Sequence, residues 1–273
     1  MACDHNCSTC AANGGCEKKN LLSPANAKSK VKRVIAVTSG KGGVGKSLVA
    51  SQLAVAAARS GLKTAVLDAD ITGPSIPMAF GITERAQADS EHNILPCKST
   101  CGISVMSLNL LIDNPEDPVA WRGPVIAGAV RQFWSDVAWG DIDLMFVDMP
   151  PGTGDVPLTV FQSLPIAGAI IVTTPQDLVS MIVEKAVRLA EMMKIPVLGI
   201  VENMSSFKCP GCGALHRIFG DGCINDFAAQ HAIKTVVSLP IDPAVAAAVD
   251  RGQIESLDVS ALDPLVSALT VEE

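Results

Sequence analysis

Nowhere in these 273 residues does an apolar run approach the roughly 20 needed to cross a bilayer, although 48% of the chain is hydrophobic and mean hydropathy is +0.35. The hydrophobicity must therefore belong to buried strands and helices, enough for a sizeable core. The opening residues, MACDHNCSTC, have neither a basic n-region nor an apolar h-region, so they do not read as a secretory signal. A concentrated basic face is missing too. Net charge is −7, pI is near 5.1, and the basic residues are dispersed apart from KSKVKR at Lys28–Arg33, a solvated lead-in to the first strand. Such a chain is not expected to bind a nucleic-acid backbone or a membrane. No internal repeat or heptad run occurs.

Cysteine, by contrast, is plentiful: nine residues, clustered. A cytoplasmic location is expected, where thiols stay reduced, so the clusters point to metal or redox work rather than structural disulfides.

Residues 1–30 are rich in Cys, Asn, Ser and Lys and lack apolar periodicity, so they read as a short Cys-rich N-terminal extension that binds metal or an iron–sulfur cluster. Residues 31–273 read as one globular domain. Strands are expected at Val31–Ser39, KTAVLDAD, Ile103–Leu108, Asp143–Asp148, Gly168–Thr174, Pro196–Asn203 and Lys234–Pro240. Helical patterns such as SLVASQLAVAAARSG, GPVIAGAVRQFWSDV and LVSMIVEKAVRLAEMM lie between most of them. Wholly apolar strands alternating with helices predict an α/β fold with a mostly parallel central sheet covered on both faces; with the phosphate loop at Gly40–Ser47, this makes a three-layer P-loop NTPase. Ligands in such a sheet sit at the carboxyl ends of the strands.

The informative residues fall there. Gly40, Lys41, Gly42, Gly43, Val44, Gly45, Lys46 and Ser47 form a Walker A loop between a strand and a helix. Its backbone N–H groups can converge on the phosphates of ATP, Lys46 can reach the terminal phosphates, and the Ser47 hydroxyl can ligate Mg²⁺. Asp68 and Asp70 end the second strand, and Asp148 ends another apolar run. We assign Asp148 to Mg²⁺ and Asp70 to orienting the attacking water, with Asp68 beside them. The turn at Pro150, Pro151, Gly152 and Gly154 could sense the γ-phosphate. Asn203 and Pro240 follow the last two strands, where the base would lie.

KCPGCG at Lys208–Gly213 holds Cys209 and Cys212 two residues apart. A soft metal wants four thiolates, so the pair is half a site, which Cys223, Cys97 or Cys101 could complete as a zinc ribbon. In the extension, Cys3, Cys7, Cys10 and Cys16 are closely spaced enough to surround one centre. Cys97 and Cys101 stay unassigned, and Cys223 reads equally well as a helix-start residue.

Lys41, after the first glycine of the loop, resembles the signature lysine of the deviant Walker A group that includes MinD, ParA and the nitrogenase iron protein. In that group it reaches across a dimer interface to the partner's nucleotide. DADITGPSIP, the WRGP at Trp121–Pro124, DMPPGTGD, TTPQDLVSM, VENMS and CPGCG with IFGDG narrow the likeness further. Together they resemble the Mrp-type (ApbC-like) ATPases, iron–sulfur cluster carriers and scaffolds. That resemblance implies a homodimer with slow, Mg²⁺-dependent ATP hydrolysis, catalysed with Lys41, Lys46 and Asp70. It also implies a [4Fe–4S] cluster bridged by Cys209 and Cys212 of both subunits and transferred to apo iron–sulfur proteins. The C-x2-C-x5-C part of the extension resembles the eukaryotic cytosolic scaffold branch and implies a second [4Fe–4S] cluster, with a zinc knot as the other reading. Two further functions fit the same motifs: an ATP-gated reductase whose cluster stays in place, and a ParA- or MinD-like positioning ATPase with zinc-bound cysteines.

Overall fold

The computed structural model describes residues 22–70, 75–112, 123–176 and 179–270. Cys3, Cys7, Cys10, Cys16, Trp121 and Arg122 lie outside the described residues. Strands are Ser29–Thr38 (β1), Thr64–Asp68 (β2), Gln87–Ala88 (β3), Ile94–Leu95 (β4), Cys97–Lys98 (β5), Ser104–Met106 (β6), Gly140–Asp148 (β7), Ile166–Thr173 (β8), Val197–Glu202 (β9), Phe207–Lys208 (β10), Leu215–His216 (β11) and Val236–Ser238 (β12). Helices are Lys46–Arg59 (α1), Ile76–Ala79 (α2), Gly123–Ser135 (α3), Asp155–Ser163 (α4), Val179–Met192 (α5), Ile224–Gln230 (α6), Pro243–Asp250 (α7) and Asp263–Thr270 (α8).

Eight strands form one sheet in the order β12-β9-β8-β1-β7-β2-β6-β5, parallel except for the edge strand β5. The sequence of β1 shows why both faces are covered. Along its buried half, Ile35 and Val37 join the apolar cluster under α1 and α8, whereas Val34 and Ala36 join the one under α3 and α4. Side chains alternate across a strand, so an unbroken apolar run needs a helical layer on each side. Helix α1 presents Val49, Leu53 and a row of alanines to the sheet and is capped just past its end by Gly61, whose φ of +85° lets the chain close a left-handed cap with Leu62 N–H on the Ala57 carbonyl.

The expected architecture is present, with local differences. Strand β7 begins at Gly140, three residues before the apolar run, because its first residues are in register with Ser29–Val31 of β1. Strand identity there comes from pairing, not from composition. Residues 22–28, which the sequence groups with the extension, are tied to the body. Ser23 N–H donates to the Ser163 carbonyl at 2.8 Å, Trp134 Nε1 donates to the Ser23 carbonyl at 3.0 Å, and Asn26 Nδ2 donates to Asn93 Oδ1 at 2.9 Å. These are polar anchors, which leave no hydrophobic period to read. Strand β5 and the hairpins β3–β4 and β10–β11 were also not expected, each strand being two residues long.

Candidate nucleotide site and cysteine hairpin

The phosphate loop leaves the carboxyl end of β1 and enters α1 at Gly45. Gly43 and Gly45 have φ of +79° and +84°, conformations that turn successive N–H groups to one side. A side chain at Gly45 would put its Cβ 2.3 Å from Asn203 Nδ2. Asn203 is buried and donates to the Val44 carbonyl at 2.9 Å, so it buttresses the loop as well as lining a neighbouring cavity. That cavity, of 420 Å³, has an apolar wall of Leu48, Met204, Leu239, Pro240 and Val245, suited to a planar base, and a polar side with Gln52, Asp242 and Asp258. Asn203 and Pro240 both line this cavity. Gln52, on the buried face of α1, was not anticipated; its amide oxygen is buried without a hydrogen-bond partner.

Lys46 is buried, with Nζ 2.7 Å from Asp148 Oδ1 and 3.4 Å from Asp70 Oδ2. Asp148 and Asp68 are register partners on β7 and β2, both fully buried. Asp68 accepts from Ser107 Oγ at 2.9 Å and from the Asp70 N–H at 3.1 Å. Burial, and then the charge of Asp148, push the Asp68 carboxyl well above the usual carboxylate range. Burial also raises Asp148, with Lys46 pulling the other way. The second oxygen of Asp148, Oδ2, has no hydrogen-bond partner. A buried, unpartnered carboxylate oxygen in a site that also holds the Ser47 hydroxyl fits a hard divalent cation such as Mg²⁺. The structure therefore brings Ser47, Lys46, Asp68, Asp70 and Asp148 together. The turn after β7 is bound to the loop directly, Gly152 N–H donating to the Ser39 carbonyl at 2.9 Å.

Lys41 is half-exposed, and its Nζ donates to Gln176 Oε1 of the same chain. Nothing in the sequence marked Gln176 as its partner.

The cysteine pair sits in the β10–β11 hairpin, closed by Cys209 N–H to the Ala214 carbonyl at 2.8 Å and Gly213 N–H to the Cys209 carbonyl at 2.9 Å. Gly213 takes φ of +74°, which only a glycine adopts without strain. Cys212 is exposed and Cys209 half-buried. The N–H groups of Cys212 and Gly211 point at the Cys209 sulfur and hold its thiol below the ordinary range, favouring the thiolate that binds metal. Cys223 is exposed at the N-cap of α6, consistent with a helix-start residue. Cys97 lies on β5 and packs against the core, and burial raises its thiol and that of Cys101. Among the described residues no three His, Cys, Asp or Glu side chains converge to hold a metal ion.

A mostly parallel sheet with a phosphate loop after β1, a buried lysine and strand-end carboxylates defines a P-loop NTPase. Residues 30–268 match the family described as ParA: NUBPL iron-transfer P-loop NTPase, and the chain belongs to that family. Among its relatives is the iron–sulfur cluster carrier protein of Methanocaldococcus jannaschii, 44% identical over 92% of this chain and 89% of that protein. Another is the carrier of the same name from Clostridium perfringens, 42% identical over 96% and 94%. The nucleotide-binding protein of Archaeoglobus fulgidus, solved with ADP, is 44% identical with a TM-score of 0.74 over 82% of this chain and 88% of that one. MinD of Pyrococcus furiosus, at 18% identity and a TM-score of 0.63, shares the fold.

Proposed function

We propose that this protein is an ATP-hydrolysing iron–sulfur cluster carrier: a homodimer assembles a [4Fe–4S] cluster on Cys209 and Cys212 of both subunits and passes it to apo iron–sulfur proteins. The observation that carries this reading is the exposed Cys209–Cys212 hairpin, with N–H groups aimed at sulfur, on a chain that also holds a nucleotide site. Two thiolates per chain become four across a two-fold axis, which suits a cluster shared by both subunits and owned by neither. Leu215 and Ile218, large apolar side chains left exposed just after the pair, support a protein surface there. The relatives' name, iron–sulfur cluster carrier, supports the cargo.

In the nucleotide half, the phosphate loop binds ATP, the cavity beside Asn203 and Pro240 takes the base, and Lys46 turns from Asp148 to the terminal phosphates. Ser47 and Asp148 would hold Mg²⁺, which supplies charge neutralisation at the phosphates. Asp70 orients water, and Lys41 reaches the partner's nucleotide. Cys3, Cys7, Cys10 and Cys16 hold a second [4Fe–4S] cluster. A reduced, cytoplasmic setting suits all these thiols.

The test is iron, sulfide and zinc per protomer, with oligomeric state, on anaerobically purified wild type and the Cys209→Ala/Cys212→Ala variant. About six irons falling to about four is expected for one terminal and one shared [4Fe–4S] cluster. Stoichiometric zinc without sulfide would refute the carrier.

A further inference from the structure

Lys41 is held by a neutral group, the side-chain amide of Gln176. Its acceptor, Gln176, follows β8 by three residues and belongs to a short segment, Thr174–Gln176, with Gln176 N–H on the Thr174 carbonyl at 2.9 Å. A carboxylate at this position would bind the lysine by charge and compete with phosphate; an amide offers one hydrogen bond and little Coulomb attraction. The hold is therefore of the kind that a polyphosphate breaks.

The same segment is the floor under the chain that leaves the cysteine hairpin. Gly222 has φ of +58° and lies so close that a Cβ there would come 2.5 Å from Glu202 Oε1 and 3.3 Å from Pro175 Cβ. A Cβ at Gly220 would meet the Pro175 carbonyl at 4.0 Å, and Gly220 N–H donates to the Arg217 carbonyl, one residue after β11. The other strand of the hairpin is rooted at the base cavity: Ile241 N–H donates to the Ser206 carbonyl at 2.7 Å, next to Pro240. One root of the Cys209–Cys212 loop thus lies against Pro175, the residue before Gln176, and the other on the wall of the nucleotide cavity.

We propose that Gln176 is a positioning residue: it retains Lys41 on its own subunit until nucleotide arrives, and its release lets Pro175 and the Gly220–Gly222 segment shift, so that the phosphate loop sets the exposure of Cys209 and Cys212. This rests on Lys41 being a phosphate-seeking residue, as the proposed function has it. Gln176 touches no reacting atom; it acts through Lys41.

The experiment uses the full-length, reduced, cluster-free protein and the non-hydrolysable ATP analogue AMP-PNP with Mg²⁺. N-ethylmaleimide labelling of Cys209 and Cys212 is followed by peptide mass spectrometry in wild type, Gln176→Ala and Gln176→Glu, and analogue affinity is measured in parallel. In wild type the analogue changes labelling severalfold. Gln176→Ala binds the analogue as tightly or about threefold more tightly, one weak hydrogen bond having been removed, yet its labelling rates with and without analogue converge. Gln176→Glu binds about threefold more weakly, and salt relieves the loss. Unchanged labelling in a wild type that binds analogue, or a full response in Gln176→Ala, overturns the inference. A wild type that does not bind the analogue overturns the nucleotide reading itself, and the affinity measurement reports that separately.

Discussion

Asp68 and Asp148 sit side by side in register on β2 and β7, both buried, and one lysine, Lys46, reaches only Asp148 of the pair. Burial, and then the charge of Asp148, keep the Asp68 proton well above the normal range, and Asp148, itself raised by burial, relies on Lys46. With Asp68 protonated, Lys46 balances Asp148, so another positive charge is needed beside Asp148 if Lys46 is to reach the phosphates. Binding of a divalent cation with ATP would supply that charge while freeing Lys46 for the phosphates.

The stability cost of Asp68 has a sign that can be checked. Its folded pKa is raised above the unfolded value, so the associated stability is fully present below the unfolded pKa and is lost as pH rises toward the folded one. Asp68→Asn keeps acceptor and size but cannot ionise. In nucleotide-free protein, Tm should fall from pH 5 to pH 8 more steeply for wild type than for Asp68→Asn, so that the variant's advantage grows with pH. Parallel Tm curves would show that Asp68 carries no such penalty.

Removing Lys46 should act on the fold as well as on ATP. Lys46→Ala leaves Asp148 buried without its partner, a change worth roughly 3 kcal/mol, at the low end of what stranding one buried charge costs because Asp148 can take up a proton. Adding Asp148→Asn should restore most of that stability in urea denaturation and none of the ATP hydrolysis. A double variant no more stable than Lys46→Ala would mean that the pair is not coupled.

How far the sequence discloses all this depends on the kind of interaction. The parallel sheet and its ligand end were legible because Val34–Val37 and Leu144–Val147 are apolar at every position, which only a strand covered on both faces requires. The phosphate loop was legible because its glycines have no other reason to be spaced so. Strand β5 was not, since two residues carry no period, and the start of β7 was not, since its pairing with Ser29–Val31 is a long-range fact. The sequence reads Asn203 as a base contact; that its amide nitrogen also donates to the Val44 carbonyl, a bond across 159 positions of chain, is decided by the fold. Lys41 and Gln176, 135 positions apart, pose the same difficulty: each residue type is visible, but the partner is decided by the fold.

The Asn203 contact gives its own test. Gly45→Ala must place a Cβ 2.3 Å from Asn203 Nδ2 and hold an alanine at φ of +84°, so it suffers a clash and backbone strain together. Asn203→Ala loses one hydrogen bond to the loop, about 1 kcal/mol, and should weaken ATP binding modestly. The double variant relieves the clash but not the strain, so its ATP affinity should lie between that of Gly45→Ala and that of Asn203→Ala. Full recovery in the double variant would show that the φ of Gly45 is immaterial.

Asp70 separates binding from hydrolysis. It lies 3.4 Å from Lys46, and its backbone N–H is fixed by Asp68 Oδ1. If it orients the attacking water, Asp70→Ala should bind ATP within a fewfold of wild type and hydrolyse it about 100-fold more slowly, the usual scale for losing one positioned base. Hydrolysis at the normal rate would show that Asp70 does not carry this role.

Ownership of the cysteine site can be decided with mixed dimers. Suppose that wild type and Cys209→Ala/Cys212→Ala chains, carrying different tags, are co-expressed and the heterodimer is isolated by tandem affinity under anaerobic conditions. If the cluster is bridged, the mixed dimer presents two thiolates where four are needed, and it should hold none of the shared iron, leaving only what the N-terminal cysteines bind. If instead each chain completes its own centre, for example with Cys223, the wild-type half of every mixed dimer keeps its metal and the hairpin-dependent content is half that of the wild-type homodimer. The two outcomes differ by an entire centre per dimer, well beyond assay error. A companion Cys223→Ser homodimer sharpens the result: Cys223 caps α6 on a different element from the hairpin, so under the bridged arrangement this variant retains the full hairpin-dependent iron. Loss of that iron in Cys223→Ser, together with half retention in the mixed dimer, would assign the site to a single chain.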